Sequence, residues 1–160
     1  MLTVRRAVLA DAAPLAALAE STFRETFAAD NSPEDMDLHC AQNFGAGIQA
    51  REIADPQLLT FLAEVEGALV GFAQLRLRHP SSCAAGARPA ELHRIYVASQ
   101  SHGRGIARSL TREVIEAAAR EDSDCLRLGV WEHNPTAIAF YRKHGFRVVG
   151  DHSFMLGRDR

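Results

Sequence analysis

Cysteine is scarce in this chain. Cys40, Cys83 and Cys125 are its three, an odd number at wide spacing. That disfavours a disulfide framework and fits a reducing, cytoplasmic setting. No Cys-x-x-Cys or His-x-x-x-His spacing occurs, so no metal is expected. No apolar run approaches the roughly 18 residues of a membrane span, and Met1-Leu-Thr-Val-Arg-Arg6 opens no signal-peptide pattern. An excess of one charge is also missing: 18 basic residues stand against 20 acidic ones, for a net charge of −2. Neither nucleic acid nor an anionic membrane surface is therefore an expected partner. Repeats and low-complexity tracts are absent. What remains is 160 residues with 47% hydrophobic and 24% charged content, the make-up of one ordinary globular domain over 1–160. Oligomeric state is left open, a homodimer included.

Periodicity divides the chain into alternating elements. Leu2 to Arg6 reads as a strand. Asp11 reads as the N-cap of a helix to about Phe27, with Leu15, Leu18 and Thr22/Phe23 on one face. Ser32 with Pro33 behind it starts a second helix, and Gly47 to Ile53 is a further amphipathic piece. Leu58–Val65 and Leu69–Arg78 read as a hairpin turning at Glu66-Gly67. The Ser/Ala/Gly/Pro-rich stretch from His79 to Pro89 is a loop. Leu92–Val97 is a strand, and a helix follows from about Gly105 to Arg120, buried on Ile106, Leu110, Val114 and Ala117. Leu126–Trp131 is a strand. Asn134 then caps a helix with Pro135 at its first position, Gly145 ends it, and Phe146–Gly150 begins another strand.

The stretch Glu91-Leu-His-Arg-Ile-Tyr-Val97, then Ala98-Ser-Gln-Ser-His102, then Gly103-Arg-Gly-Ile-Ala107 carries the strongest chemical signal. A strand runs into a Gly-rich turn that opens a helix, and helix N-termini offer unpaired N–H groups to anions. Gly103 and Gly105 let the backbone approach a phosphate, with Arg104 and Arg108 adding charge. The turn is neither a P-loop, which needs Gly-Lys-Ser/Thr, nor a dinucleotide fingerprint, which needs a third Gly. Strict alternation places Glu91, His93, Ile95 and Val97 on one strand face.

A second segment makes the signal specific: Leu126-Arg-Leu-Gly-Val-Trp131, Asn134-Pro-Thr-Ala-Ile-Ala-Phe-Tyr141 and Gly145-Phe146. Strand, Asn, helix with Phe-Tyr, then Gly-Phe resembles the GCN5-related N-acetyltransferase (GNAT) superfamily over nearly the whole chain. Phe27 to Asn31-Ser-Pro-Glu-Asp-Met36, Gly129-Val-Trp-Glu-His-Asn134 and Asp151-His-Ser-Phe154 resemble, more narrowly, the PaiA-type spermidine/spermine acetyltransferases.

The resemblance implies an α/β fold: a mixed, mainly antiparallel sheet, splayed at the cofactor strand, with helices on both faces. It implies acetyl-CoA as cosubstrate and direct transfer of the acetyl group to a primary amine, most readily a polyamine. The family pattern Gln/Arg-x-x-Gly-x-Gly/Ala falls on His102-Gly103-Arg104-Gly105-Ile106-Ala107, with His102 in place of the usual Gln or Arg. Ile95, Tyr96 and Val97 would pair with the pantetheine arm, and an N–H near Val97 would hold the developing oxyanion. Asn134 would bond pantetheine besides capping its helix, and Tyr141 would protonate the leaving thiolate. An alkylammonium has a reference pKa of about 10.4, so its proton must be removed. Glu91 is the candidate base, with His93 second. The acidic segment Glu25–Asp37 would receive a polycation. Another small amine, a protein N-terminus, or a non-catalytic CoA-binding sensor are the alternatives. Family domains end on one more strand than the reading finds here, so the last strand is expected to be missing after Ser153–Arg160.

Overall fold

The computed structural model describes residues 1–78, 88–123, 125–129, 135–148 and 153–157. Its elements run β1 (Leu2–Arg6), α1 (Ala12–Phe27), α2 (Pro33–Asn43), α3 (Ala46–Ala54), β2 (Leu58–Val65), β3 (Ala68–Leu77) and β4 (Pro89–Val97). Then come α4 (Ile106–Arg120), β5 (Cys125–Gly129), α5 (Pro135–Lys143), β6 (Arg147–Val148) and β7 (Ser153–Gly157). The loop expected from His79 lies outside the described residues up to 87, as do Asn134 with its cap, the end of the expected strand at Trp131, and Asp151-His152.

The strands form one seven-stranded sheet in the order β1-β2-β3-β4-β5-β7-β6. Every adjacent pair is antiparallel except β4–β5. This is the α/β fold the resemblance implied. Ser153–Gly157, which the sequence did not mark as a strand, is β7, inserted between β5 and β6 and paired with both. It follows β6 in the chain but lies between β6 and β5 in the sheet.

Helices cover both faces. α4 buries Ile106, Leu110, Val114 and Ala117, as its 3.6-residue period requires, against Ala73, Leu75, Leu92 and Leu126 of the sheet. Each large apolar side chain so buried contributes about 1.5–3 kcal/mol. On the opposite face Leu15 and Ala19 of α1 meet Cys40, Phe44, Leu62 and Phe72. The hairpin turns at Glu66-Gly67, both at positive φ (51° and 79°), the signature of a two-residue turn matched to strand twist.

Two caps resolve differently from one another. Asp11 does not cap α1 with its side chain. Its carboxylate instead accepts the Val8 N–H at 2.8 Å and both Nη atoms of Arg5 at 2.9 Å, which holds its pKa below the ordinary range. Ser32 does cap α2: its Oγ accepts the Asp35 N–H at 3.1 Å, with Pro33 at N1. Ser32→Ala should therefore cost about 1 kcal/mol of stability, read as a lower denaturant midpoint at unchanged slope.

β4 departs from strict alternation. Gln74 stands opposite Arg94 and Leu75 opposite Leu92, so His93 is one residue too many on β4, a β-bulge. Beyond it the faces exchange parity. Ala90 and Leu92 share the α4 face with Ile95 and Val97, while Tyr96 packs with Phe72 on the α1 face. Glu91 thus does not share a face with Ile95 and Val97, as strict alternation would have it, because the bulge shifts the register between them. β4 and β5 pair over Pro89–Glu91 and Cys125–Arg127 only. From Leu92 onward β4 is unpaired on that side among the described residues, and the sheet opens into a gap.

Candidate active site

The free edge of β4 can be read from its ladder. Ala98 N–H donates to the Val70 carbonyl at 2.8 Å, which makes 98/70 a hydrogen-bonded pair. The next pair, Val97 with Gly71, is then non-hydrogen-bonded, and so is Ile95 with Ala73. The N–H and C=O of Ile95 and Val97 therefore point away from β3, into the gap. This is a template for an extended ligand. Gly71 is required opposite it: a Cβ there would lie 3.0 Å from the Tyr96 carbonyl oxygen and 3.3 Å from Val97 Cγ2.

Two cavities meet across the gap. The first, about 660 Å³, lies over the Gly turn and between α4 and α5; Ile95, Val97, His102, Gly103, Gly105, Ile106, Ala107, Arg108, Phe140 and Tyr141 are among its lining. The second, about 560 Å³, opens on the α1 side and is lined by Thr26, Phe27, Asp30, His93, Arg94, Tyr96 and others. Ile95, Val97, His102, Ala137 and Tyr141 line both and mark the junction.

The first cavity fits a diphosphate. Gly103 (φ 82°) and Gly105 (φ 77°) adopt backbone that favours glycine. The first N–H of α4 to find a helical carbonyl is that of Ser109, bonded to Gly105 O at 3.1 Å, so those of Ile106, Ala107 and Arg108 are left for a ligand. Arg108, Lys143 and His144 bring cationic or proton-donating side chains to the same space. Lys143 and His144 were not found by reading the sequence. The signal was there: Thr136, Phe140 and Lys143/His144 recur at helical spacing from the same turn as Tyr141. Arg104, expected to help, is exposed and lines neither cavity.

Tyr141 is buried, with 8% of its surface exposed, at the junction. Burial, then the neighbouring Tyr96, pushes its pKa up to about 12. Tyr96 lines the second cavity rather than the first, and its backbone, in the hydrogen-bonded pair with Phe72, faces β3, so of the three residues expected to meet the pantetheine arm it alone stands outside the strand template. Burial raises its pKa as well. Glu91 lines neither cavity. Its carboxylate takes Arg127 Nη2 at 2.5 Å and stands 3.8 Å from His93 Nδ1. His93 does line the second cavity, but Arg76 Nη2 lies 3.1 Å from its Nε2. An arginine only donates, so Nε2 is the acceptor and Nδ1 carries the hydrogen.

Two of the acidic segment's five carboxylates, Glu25 and Asp37, are engaged elsewhere. Glu25 accepts Ser99 Oγ at 2.9 Å, and Asp37 pairs with Arg24 at 3.0 Å; Asp30 alone of the segment's carboxylates lines the second cavity. Arg94 is neutralised by Glu52 at 3.0 Å and donates to Gln74 at 2.9 Å, a buried network that ties α3 to β4 and that the sequence did not announce.

A sheet opened beside β4, an anion cradle on one side and a second cavity on the other, defines a two-substrate transferase whose donor carries phosphate. The chain belongs to the acetyltransferase (GNAT) family, whose model matches residues 16–146. It is an N-acetyltransferase with acetyl-CoA as acyl donor. It is 32% identical over 144 residues to an uncharacterised N-acetyltransferase of Lactobacillus delbrueckii subsp. lactis, covering 90% of this chain and 83% of that protein. It is 32% identical over 149 residues to one of Mycobacterium bovis, covering 93% and 91%. Among solved structures the fold matches PaiA N-acetyltransferase from Thermoplasma acidophilum in complex with coenzyme A, at a TM-score of 0.79 and 22% identity over 97% of this chain and 96% of that one. It also matches the aminoglycoside acetyltransferase AAC(6')-Iy in complex with a bisubstrate analogue, at a TM-score of 0.72 and 16% identity over 100% and 99%.

Proposed function

We propose that the protein moves the acetyl group of acetyl-CoA directly to a primary amine held in the second cavity, with a polyamine such as spermidine or spermine as the acceptor. The meeting of two cavities at Ile95, Val97 and Tyr141 carries this reading, because it lets both substrates reach one point at once. Among the described residues no cysteine lines either cavity, which favours direct attack over a covalent enzyme intermediate. The Gly103–Arg108 turn would hold the diphosphate, and the gap-facing groups of Ile95 and Val97 the pantetheine arm. Asn134 is proposed to join them from outside the described residues. Glu91, held by Arg127 away from both cavities, is assigned to positioning this end of β4 rather than to direct contact with the amine.

The polyamine choice rests on the PaiA-like segments and on Asp30, which would take an ammonium distant from the reacting one. Steady-state acetylation of spermidine, spermine, an aminoglycoside, a simple monoamine and a peptide, read by product mass, tests it. Acetylspermidine and acetylspermine are expected, with acceptor KM rising a few-fold with salt as the Asp30 attraction is screened. Product from the monoamine or peptide alone would overturn the polyamine assignment.

A further inference from the structure

We infer that His102 is the catalytic base that accepts the acceptor's proton, an inference resting on the acetyl-transfer reading above. Its Nε2 lies 2.8 Å from the Val97 carbonyl oxygen. A carbonyl cannot donate, so Nε2 carries a hydrogen and the neutral ring has its lone pair on Nδ1. The carbonyl it bonds is the gap-facing one, which fixes the ring beside the strand template. The side chain itself is exposed and lines both cavities, so it stands where donor and acceptor must meet.

The other titratable groups of the second cavity do not fit the task. His93 already uses its lone pair on Arg76. Tyr96 and Tyr141 are raised phenols, which keep their protons near neutrality. Arg94 has no lone pair to give. Asp30 lines the acceptor side only, away from the junction. Toward the first cavity, α4 presents Arg108 and α5 presents Lys143 and His144, around the same space that His102 borders.

The protons balance. Of the ammonium's three, one passes to His102 Nδ1 and on to solvent. The nitrogen lone pair so freed forms the N–C bond as the C–S bond breaks and its electron pair leaves on sulfur. A second proton is lost from nitrogen, and the sulfur takes one from Tyr141, which is reprotonated in turn. The third stays on the amide.

The test compares His102→Gln, Glu91→Gln and wild type over pH 6–10. It uses the panel amine giving most product, and hydroxylamine, which is already neutral at pH 7. Calorimetry with acetyl-CoA monitors folding and donor binding. With the alkylamine, His102→Gln should lose on the order of 10²-fold in kcat/KM at pH 7 and recover as pH rises. With hydroxylamine it should stay within a few-fold of wild type, and acetyl-CoA affinity should hold. An equal loss with both acceptors at every pH would make His102 a prop for Val97 and overturn the base role. So would a wild-type profile for His102→Gln, or loss of the acid limb in Glu91→Gln instead. If wild type binds acetyl-CoA yet acetylates nothing, the transfer reading itself fails and the base falls with it.

Discussion

Gly105→Val should abolish measurable acetyl-CoA binding at micromolar protein while leaving the protein folded. Gly105 stands at the N-cap of α4 with φ 77°, where an L-residue is disfavoured by roughly 1–2 kcal/mol and a β-branched one by more. A Cβ there would sit 3.2 Å from the Arg108 guanidinium, and the added methyls would project into the space the phosphates need. Relieving the strain by turning the residue back to negative φ would swing the free N–H groups of Ile106 and Ala107 off the cradle. Either response weakens a diphosphate by several charge-assisted hydrogen bonds, each worth roughly 1.5–3 kcal/mol. Calorimetry should show affinity at least 10²-fold lower; unchanged affinity in a folded variant would place the diphosphate elsewhere.

Tyr141→Phe should lower kcat on the order of 10²-fold with acetyl-CoA KM nearly unchanged. The ring packs edge-on with Phe140 and Phe146, and phenylalanine keeps those contacts. Only the hydroxyl is lost. With its pKa pushed up to about 12, the phenol is protonated at every working pH, so it is always ready to donate toward sulfur. Outright transfer to a free thiolate of reference pKa about 8.5 would be uphill by roughly 5 kcal/mol. The group therefore acts as a hydrogen-bond donor while charge gathers, and completes the transfer only as the new amide loses its proton. The sign of the shift gives a second readout. Burial favours the neutral phenol, so its contribution to stability is intact below the ordinary phenol range and falls as pH climbs above about 10. Wild-type kcat should show no alkaline loss from this group below that point. Unaltered turnover in the phenylalanine variant would reduce Tyr141 to packing.

Local rules made most of the fold legible. The α4 stripe, the Glu66-Gly67 turn, the Ser32-Pro33 cap and the Gly turn each announce themselves within a few residues. What stayed hidden depends on partners far along the chain. The bulge at His93 exists only relative to β3, so alternation within β4 could not reveal that Glu91 and Ile95 part company. Arg127, whose number is remote from Glu91, removes that carboxylate from the junction through a pairing that only the sheet register creates. β7 escaped because it enters the ladder out of sequence order. Asp11 read as a cap because Asp before a helix usually is one; Arg5 on the neighbouring strand took it first. The acidic segment read as a substrate surface because charge in sequence carries no record of Ser99 and Arg24, which claim Glu25 and Asp37.

The short parallel contact between β4 and β5 has a mechanical meaning. Among the described residues three register positions join the β1–β4 leaf of the sheet to the β5–β7–β6 leaf through backbone, and the rest of the seam is held by the side chains of the shared core. An extended thioester donor lying along Ile95 and Val97, with α5 at its back, would act as the stitch that the open length of the seam lacks. Donor occupancy and the integrity of the sheet then become one variable. At a hundred times its Kd such a ligand adds about 2.7 kcal/mol to the folded state, and that gain would be concentrated in resistance of the C-terminal leaf to peeling away. The enzyme would be at its least coherent between turnovers, when coenzyme leaves and the shared core alone holds the open length of the seam.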